Sequence, residues 1–336
     1  MRNPHYTAAM RRRQQRLLQT GWRKDDSNFN WSRTWRRLAG NYRNLIMLLV
    51  VIALAPPIFF HFRLRRFYQI QMKNCGWMRH PPLVCAHGGD STNAFPNTMA
   101  AYRSALRSRV DCIEIDVSCS ADGVLFALHD RELQRISGNH TSRVGYLSMK
   151  EINELDAALQ FPKVFDDQKV PTLEDALRLV SGSVRQVILD AKVGPPLYEK
   201  GLVEKILAVV KRTHCTNCII WAKSDTLVRE IIRLSPNTTV GYIVMKDPKT
   251  GFRSNLLRMK RAGIVGVYHP LIDEKLVQIL HWRNKKIYAW TVDDMVSMQD
   301  MLINSVDAVV TSNPALLQQL MLDTRTQCLE EGFSLL

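Results

Sequence analysis

The chain reads as an α/β protein: a TIM (β/α)8 barrel preceded by a basic N-terminal segment and one transmembrane helix. Three observations predict this. Eight short apolar runs alternate with longer amphipathic ones after Pro82, acidic and histidine residues fall at the ends of those runs, and an uncharged stretch of 18 residues stands before them.

In chain order, the composition predicts a basic segment over 1–44, a signal anchor over 45–62, a linker over 63–80, the barrel over 81–325 and a C-terminal tail over 326–336. Residues 1–80 carry 16 Lys/Arg against Asp25 and Asp26, and the rest carries 30 basic and 29 acidic residues, so nearly all of the net +15 sits in the leader. The globular part is almost neutral, and nucleic acid is not an expected partner.

The anchor reads LIMLLVVIALAPPIFFHF, with no charged residue and with Pro56 and Pro57 placed to kink it near its end. At about 1.5 Å per residue it covers most of a ~30 Å hydrocarbon core. It begins too far from residue 1 for a cleaved signal peptide. Its flanks nearly balance, with Arg33, Arg36, Arg37 and Arg43 before it and Arg63, Arg65, Arg66 and Lys73 after it. The remaining leader charges tip the count toward a cytosolic N-terminus and a lumenal or extracellular catalytic domain. That would expose two sequons, at Asn139 and Asn237, to glycosylation. An Arg-rich, acid-poor leader is also the composition of an organelle transit peptide.

The strands expected for the barrel are 83–86, 112–118, 187–191, 219–222, 240–244, 265–269, 287–291 and 308–311. The helices between them are expected at 98–108, 172–181, 198–212, 225–234, 254–262, 272–283, 293–304 and 314–322. An open doubly wound sheet is the alternative arrangement of the same elements. Seven scattered cysteines form no zinc pattern. Cys215-Thr-Asn-Cys218 has CxxC spacing without a second pair, and buried thiols or one incidental disulfide are expected.

A barrel's active site lies at the C-terminal ends of its strands. In the second run Ile113, Ile115 and Val117 alternate with Glu114, Asp116 and Ser118, which puts both carboxylates on the axial face, about 7 Å apart along the strand. In the third, Asp190 and Lys192 share a face. His87 ends the first strand, and His129 ends a further short run, VLFALHD. Hard carboxylate ligands suit Mg2+ or Ca2+, and two imidazoles at strand ends suit general acid/base catalysis.

The stretch HGGDSTNAFPNTMAAYRSALRSRVDCIEIDVSCSADGVLFALHD (87–130), followed by PTLEDAL, ILDAK, AWTVDD and VDAVVTSNP, resembles the glycerophosphodiester phosphodiesterase family in content and order. The resemblance implies that Glu114, Asp116 and Asp190 hold the divalent cation, that His87 and His129 form the acid/base pair, and that Lys192 contacts the phosphate. It further implies hydrolysis of a small-molecule glycerophosphodiester to sn-glycerol 3-phosphate and an alcohol, and Trp290 is expected either to wall the glycerol pocket or to be an aromatic of the barrel core.

The sequence departs from that family's pattern in places. Gly88 stands where the family has the arginine of His-Arg-Gly, and the Glu of Pro-Glu-Asn-Thr is missing from Phe95-Pro96-Asn97-Thr98. Losing both together avoids a buried unpaired charge. Asp190 replaces a Glu, and Ser312 replaces the Asp of the final motif. The competing reading is a membrane-anchored barrel that binds a phosphodiester with weak or no catalysis.

Overall fold

The computed structural model describes residues 42–334, apart from 93, 156–168 and 248. The basic leader up to residue 41 lies outside the described residues. The chain divides into two compact units, Met1–Arg66 and Phe67–Leu336.

Helix α1, Tyr42–Cys75, carries the apolar stretch and runs unbroken through Pro56 and Pro57. Its apolar side chains from Leu45 to Ile70 are exposed. By length and composition it is long and apolar enough to cross a membrane. The segment expected as a linker is helical to Cys75 and continues as a 3-10 turn, Gly76–Arg79.

The second unit is a closed barrel. Its strands are β1 (Leu83–His87), β2 (Cys112–Cys119), β3 (Leu125–Ala127), β4 (Gln186–Ala191), β5 (Cys218–Ala222), β6 (Thr239–Val244), β7 (Ile264–Tyr268), β8 (Lys286–Trp290) and β9 (Ala308–Thr311). All but β3 are parallel, and the β1–β2 pairing closes the ring, which excludes the open sheet. The helices are α2 (Met99–Arg107), α3 (Asp130–Ser137), α4 (Met149–Asn153), α5 (Leu173–Val180), α6 (Leu202–Arg212), α7 (Asp225–Leu234), α8 (Glu274–Trp282), α9 (Met295–Ile303) and α10 (Pro314–Glu330). Side-chain caps start most of them: Thr98, Thr172, Ser224, Asp273, Asp294 and Asn313 each accept from a backbone N–H of the first turn.

The two-residue period of the strands sorts the core into two layers. Ile113, Ile115, Val117, Val187 and Leu189 pack outward under the helices, while Ile188, Ile219, Trp221, Ile243 and Tyr288 fill the interior. Trp221 spans the barrel because its neighbours make room: a Cβ on Gly266 would come within 2.9 Å of its ring.

Three expectations need correction. Residues 254–262 form no helix, although Leu256, Met259 and Ala262 are buried at helical spacing. The segment is instead pinned from outside. Tyr242 Oη donates to the Leu256 carbonyl, Arg258 Nε donates to Asp225, and Arg258 Nη2 donates to the Ile243 carbonyl. Helix α10 runs well past its expected end, so most of the expected tail is structured. Six cysteines form three disulfides, Cys75–Cys328, Cys85–Cys112 and Cys215–Cys218, leaving Cys119 free.

Candidate active site

Strand register assembles the site. His87 pairs with Glu114 across β1 and β2, and Asp116 pairs with Asp190 across β2 and β4. All four residues face the axis, with His87 ending β1, Asp190 next to last in β4, and Glu114 and Asp116 brought level with them along the longer β2, and one carboxylate oxygen from each of Glu114, Asp116 and Asp190 lies within 4.8 Å of the others. The loop after β1 closes over them. Gly88 N donates to Glu114 Oε2 at 3.0 Å. Gly88 has a φ of +63, and a Cβ there would meet Pro96 Cβ at 3.0 Å. Any larger residue at this position would be strained by the positive φ and tight against Pro96.

A residue not singled out from the sequence organises this floor. Asn97, buried at a φ of 61, donates from Nδ2 to Asp116 Oδ2 at 2.8 Å and accepts at Oδ1 from the Asp116 N–H and from Tyr102 Oη, both at 3.1 Å. Its place inside the quoted FPNT motif was the available signal; its contact with Asp116 is long-range and invisible to spacing.

Lys192 sits among the acids. Its Nζ is 2.6 Å from Asp116 Oδ1 and also donates to Asp190 Oδ2. The acids respond differently to this ammonium. Burial, and then the charge of Asp116, push the Glu114 carboxyl well above its ordinary range, and burial also raises Asp190. Burial alone would raise Asp116 too, yet Lys192, with His129 and His87, holds it below the usual carboxylate range. Lys192 is raised in turn by Asp116 and Asp190, against the opposing effect of its own burial.

One ammonium does not satisfy three buried carboxylates. Asp190 Oδ1 accepts no hydrogen bond, and Asp116 Oδ1 meets only the Lys192 ammonium that Asp190 Oδ2 shares. Buried acceptors left open in this way fit a hard divalent cation, and the all-oxygen donor set matches Mg2+ or Ca2+.

The two histidines differ. His87 Nε2 lies 4.0 Å from Glu114 Oε2, and burial lowers its pKa. His129 caps α3, with Nδ1 accepting from the Arg131 N–H at 3.0 Å, which leaves the exchangeable proton on Nε2. Burial and then Lys192 push its pKa down to about 4. Beneath it lies the buried Glu132, whose Oε2 is 3.8 Å from His129 Nδ1 and accepts no hydrogen bond.

Trp290, at the end of β8, stands at the rim beside Tyr268, with ring centroids 5.5 Å apart. Asn139 and Asn237 lie on exposed turns after α3 and α7.

Residues 87–316 match the glycerophosphoryl diester phosphodiesterase family. The chain is 59% identical over 321 residues to the glycerophosphodiester phosphodiesterase GDPD4 of Arabidopsis thaliana, covering 94% of this chain and 98% of that one. It is 30% identical over 240 residues to a glycerophosphodiester phosphodiesterase of Caldanaerobacter subterraneus, covering 71% and 97%. Among solved structures, an Oleispira antarctica phosphodiesterase in complex with the product sn-glycerol-3-phosphate superposes with a TM-score of 0.64 at 23% identity, over 71% of this chain and 96% of that one. At that identity the likeness concerns the fold.

Proposed function

This chain belongs to the glycerophosphoryl diester phosphodiesterase family, and from that membership we propose that it hydrolyses glycerophosphodiesters to sn-glycerol 3-phosphate and an alcohol, with His87 and His129 as the acid/base pair. The observation that carries the reading is the cluster of Glu114, Asp116 and Asp190 around open carboxylate oxygens, directly beside His87. These three residues would hold a divalent cation, Mg2+ or Ca2+, which when bound supplies charge stabilisation to the phosphoryl oxygens.

The chain's own side chains then divide the work. Asn97 fixes Asp116 in orientation from two sides. His87, kept neutral by burial, offers a lone pair to the attacking hydroxyl. His129 gives its Nε2 proton to the departing oxygen from the protonated ring, which is thereby left neutral, and Glu132 is placed to receive the Nδ1–H of that cation. Lys192 is available to the phosphate to the extent that a cation takes over Asp116 and Asp190. Trp290 walls the glycerol side.

The test is sn-glycerol 3-phosphate release from glycerophosphocholine and glycerophosphoglycerol by the full-length protein with Mg2+ or Ca2+. His87→Ala and His129→Ala should each lower kcat by about 10²–10⁴. A wild type that binds these diesters without turning them over, or turnover indifferent to His87→Ala, would leave a binding barrel in place of an enzyme.

The same proposal places the barrel in the lumen or outside the cell, joined to the membrane by α1. Three disulfides support it, since such bonds persist in oxidising compartments. The exposed sequons at Asn139 and Asn237 support it as well. A glycosidase-sensitive mass shift that disappears in Asn139→Gln/Asn237→Gln is expected. A fully reduced, unglycosylated protein inside a plastid or mitochondrion would contradict this placement.

A further inference from the structure

Lys223 follows β5 as Lys192 follows β4, and the Ala191–Ala222 register sets the two side by side. Because Trp221 fills the interior and Ala222 packs outward, Lys223 continues the inward face at the rim. Its Nζ lies 5.9 Å from the Trp290 ring centroid. It is exposed at the rim, yet close enough to the acids and to His129 to act on them electrostatically, and partial desolvation followed by the charge of Lys192 lowers its own pKa.

Among the described residues no carboxylate pairs with Lys223. The other cations of the site are engaged: Lys192 by Asp116 and Asp190, and Arg131 by Glu132 at 3.2 Å. Three carboxylates are balanced by Lys192 together with one divalent cation, so a phosphodiester monoanion would bring an uncompensated charge. Gly88 has no side chain to meet it.

We propose that Lys223 is a second phosphate-binding cation of this site, beside Lys192, donating to a non-bridging oxygen of the bound diester and of the sn-glycerol 3-phosphate product. The proposal rests on the phosphodiesterase reading for its substrate, and its test separates binding from turnover.

Full-length wild type, Lys223→Met and Lys223→Arg are compared in detergent with Mg2+ or Ca2+ for KM and kcat on glycerophosphocholine, and by calorimetry for sn-glycerol 3-phosphate. Lys223→Met should raise KM and weaken product binding by about tenfold each, with kcat changed less than about threefold, and Lys223→Arg should restore both. Unchanged KM and product affinity in Lys223→Met, or a fall confined to kcat, overturns the assignment. If the wild type binds the product without any turnover and Lys223→Met loses that binding, the anion site stands while the enzyme reading fails.

Discussion

Asp116 shows how a single carboxylate is made to stay charged inside a barrel. Desolvation opposes ionisation, but Lys192 Nζ at 2.6 Å, the Asn97 amide at 2.8 Å and two nearby imidazoles outweigh it. Glu114 and Asp190, with less of this support, shift the other way. His129 carries a consequence for stability. Its folded pKa of about 4 lies below its ordinary 6.5, so between those values the unfolded chain binds a proton that the folded chain does not. Stability is therefore lost as pH falls from about 6.5 toward about 4, by on the order of 2 kcal/mol for this residue after allowing for its partial exposure. In chelator-treated protein, His129→Gln should flatten the dependence of the urea midpoint on pH across that window. Parallel curves for wild type and variant would contradict the assigned shift. The acids and histidines were legible from strand alternation and motif order. Asn97's grip on Asp116 and the cation at Lys223 were not, because each depends on which loops the closed barrel brings to one rim.

Elements were legible wherever local pattern and tertiary packing agree. The eight parallel strands follow apolar runs whose inner and outer faces alternate, and their ends fall within a residue or so of expectation. Residues 254–262 had helical spacing but no helix, since Tyr242 Oη and Lys285 Nζ satisfy carbonyls of the loop from outside, at Leu256, Met259 and Ala262. Disulfide pairing was equally hidden, as Cys75 and Cys328 are 253 residues apart. Around that bond Trp77, Met78, Leu302 and Phe333 form a separate apolar cluster, which ties the end of α1 to α10. The chain enters β1 from this cluster at the strand's N-terminal end, opposite the acidic centre. Cys75→Ser/Cys328→Ser should consequently lower unfolding stability by about 2–5 kcal/mol while leaving kcat/KM of the folded protein within about twofold. Loss of activity without loss of stability, measured by urea unfolding alongside turnover, would show that the two ends of the barrel are not independent in this way.

Across the whole molecule, charge and chemistry are segregated. The leader carries almost all of the +15, an apolar helix follows it, and the nearly neutral barrel concentrates its buried charge at one rim. This division was readable from composition alone, because it depends on sums over long segments. The central claim is narrower: Glu114, Asp116 and Asp190 form a divalent-cation site on which turnover depends. Its most direct measurement is release of sn-glycerol 3-phosphate from glycerophosphocholine by the full-length protein before chelation, after exhaustive chelation, and after re-addition of Mg2+ or Ca2+, with Asp190→Asn in parallel. The account predicts activity that disappears on chelation, returns with one of these ions, and falls at least about tenfold in the variant through weaker metal binding. Activity that survives chelation, or an Asp190→Asn protein as active as wild type at limiting metal, would contradict it.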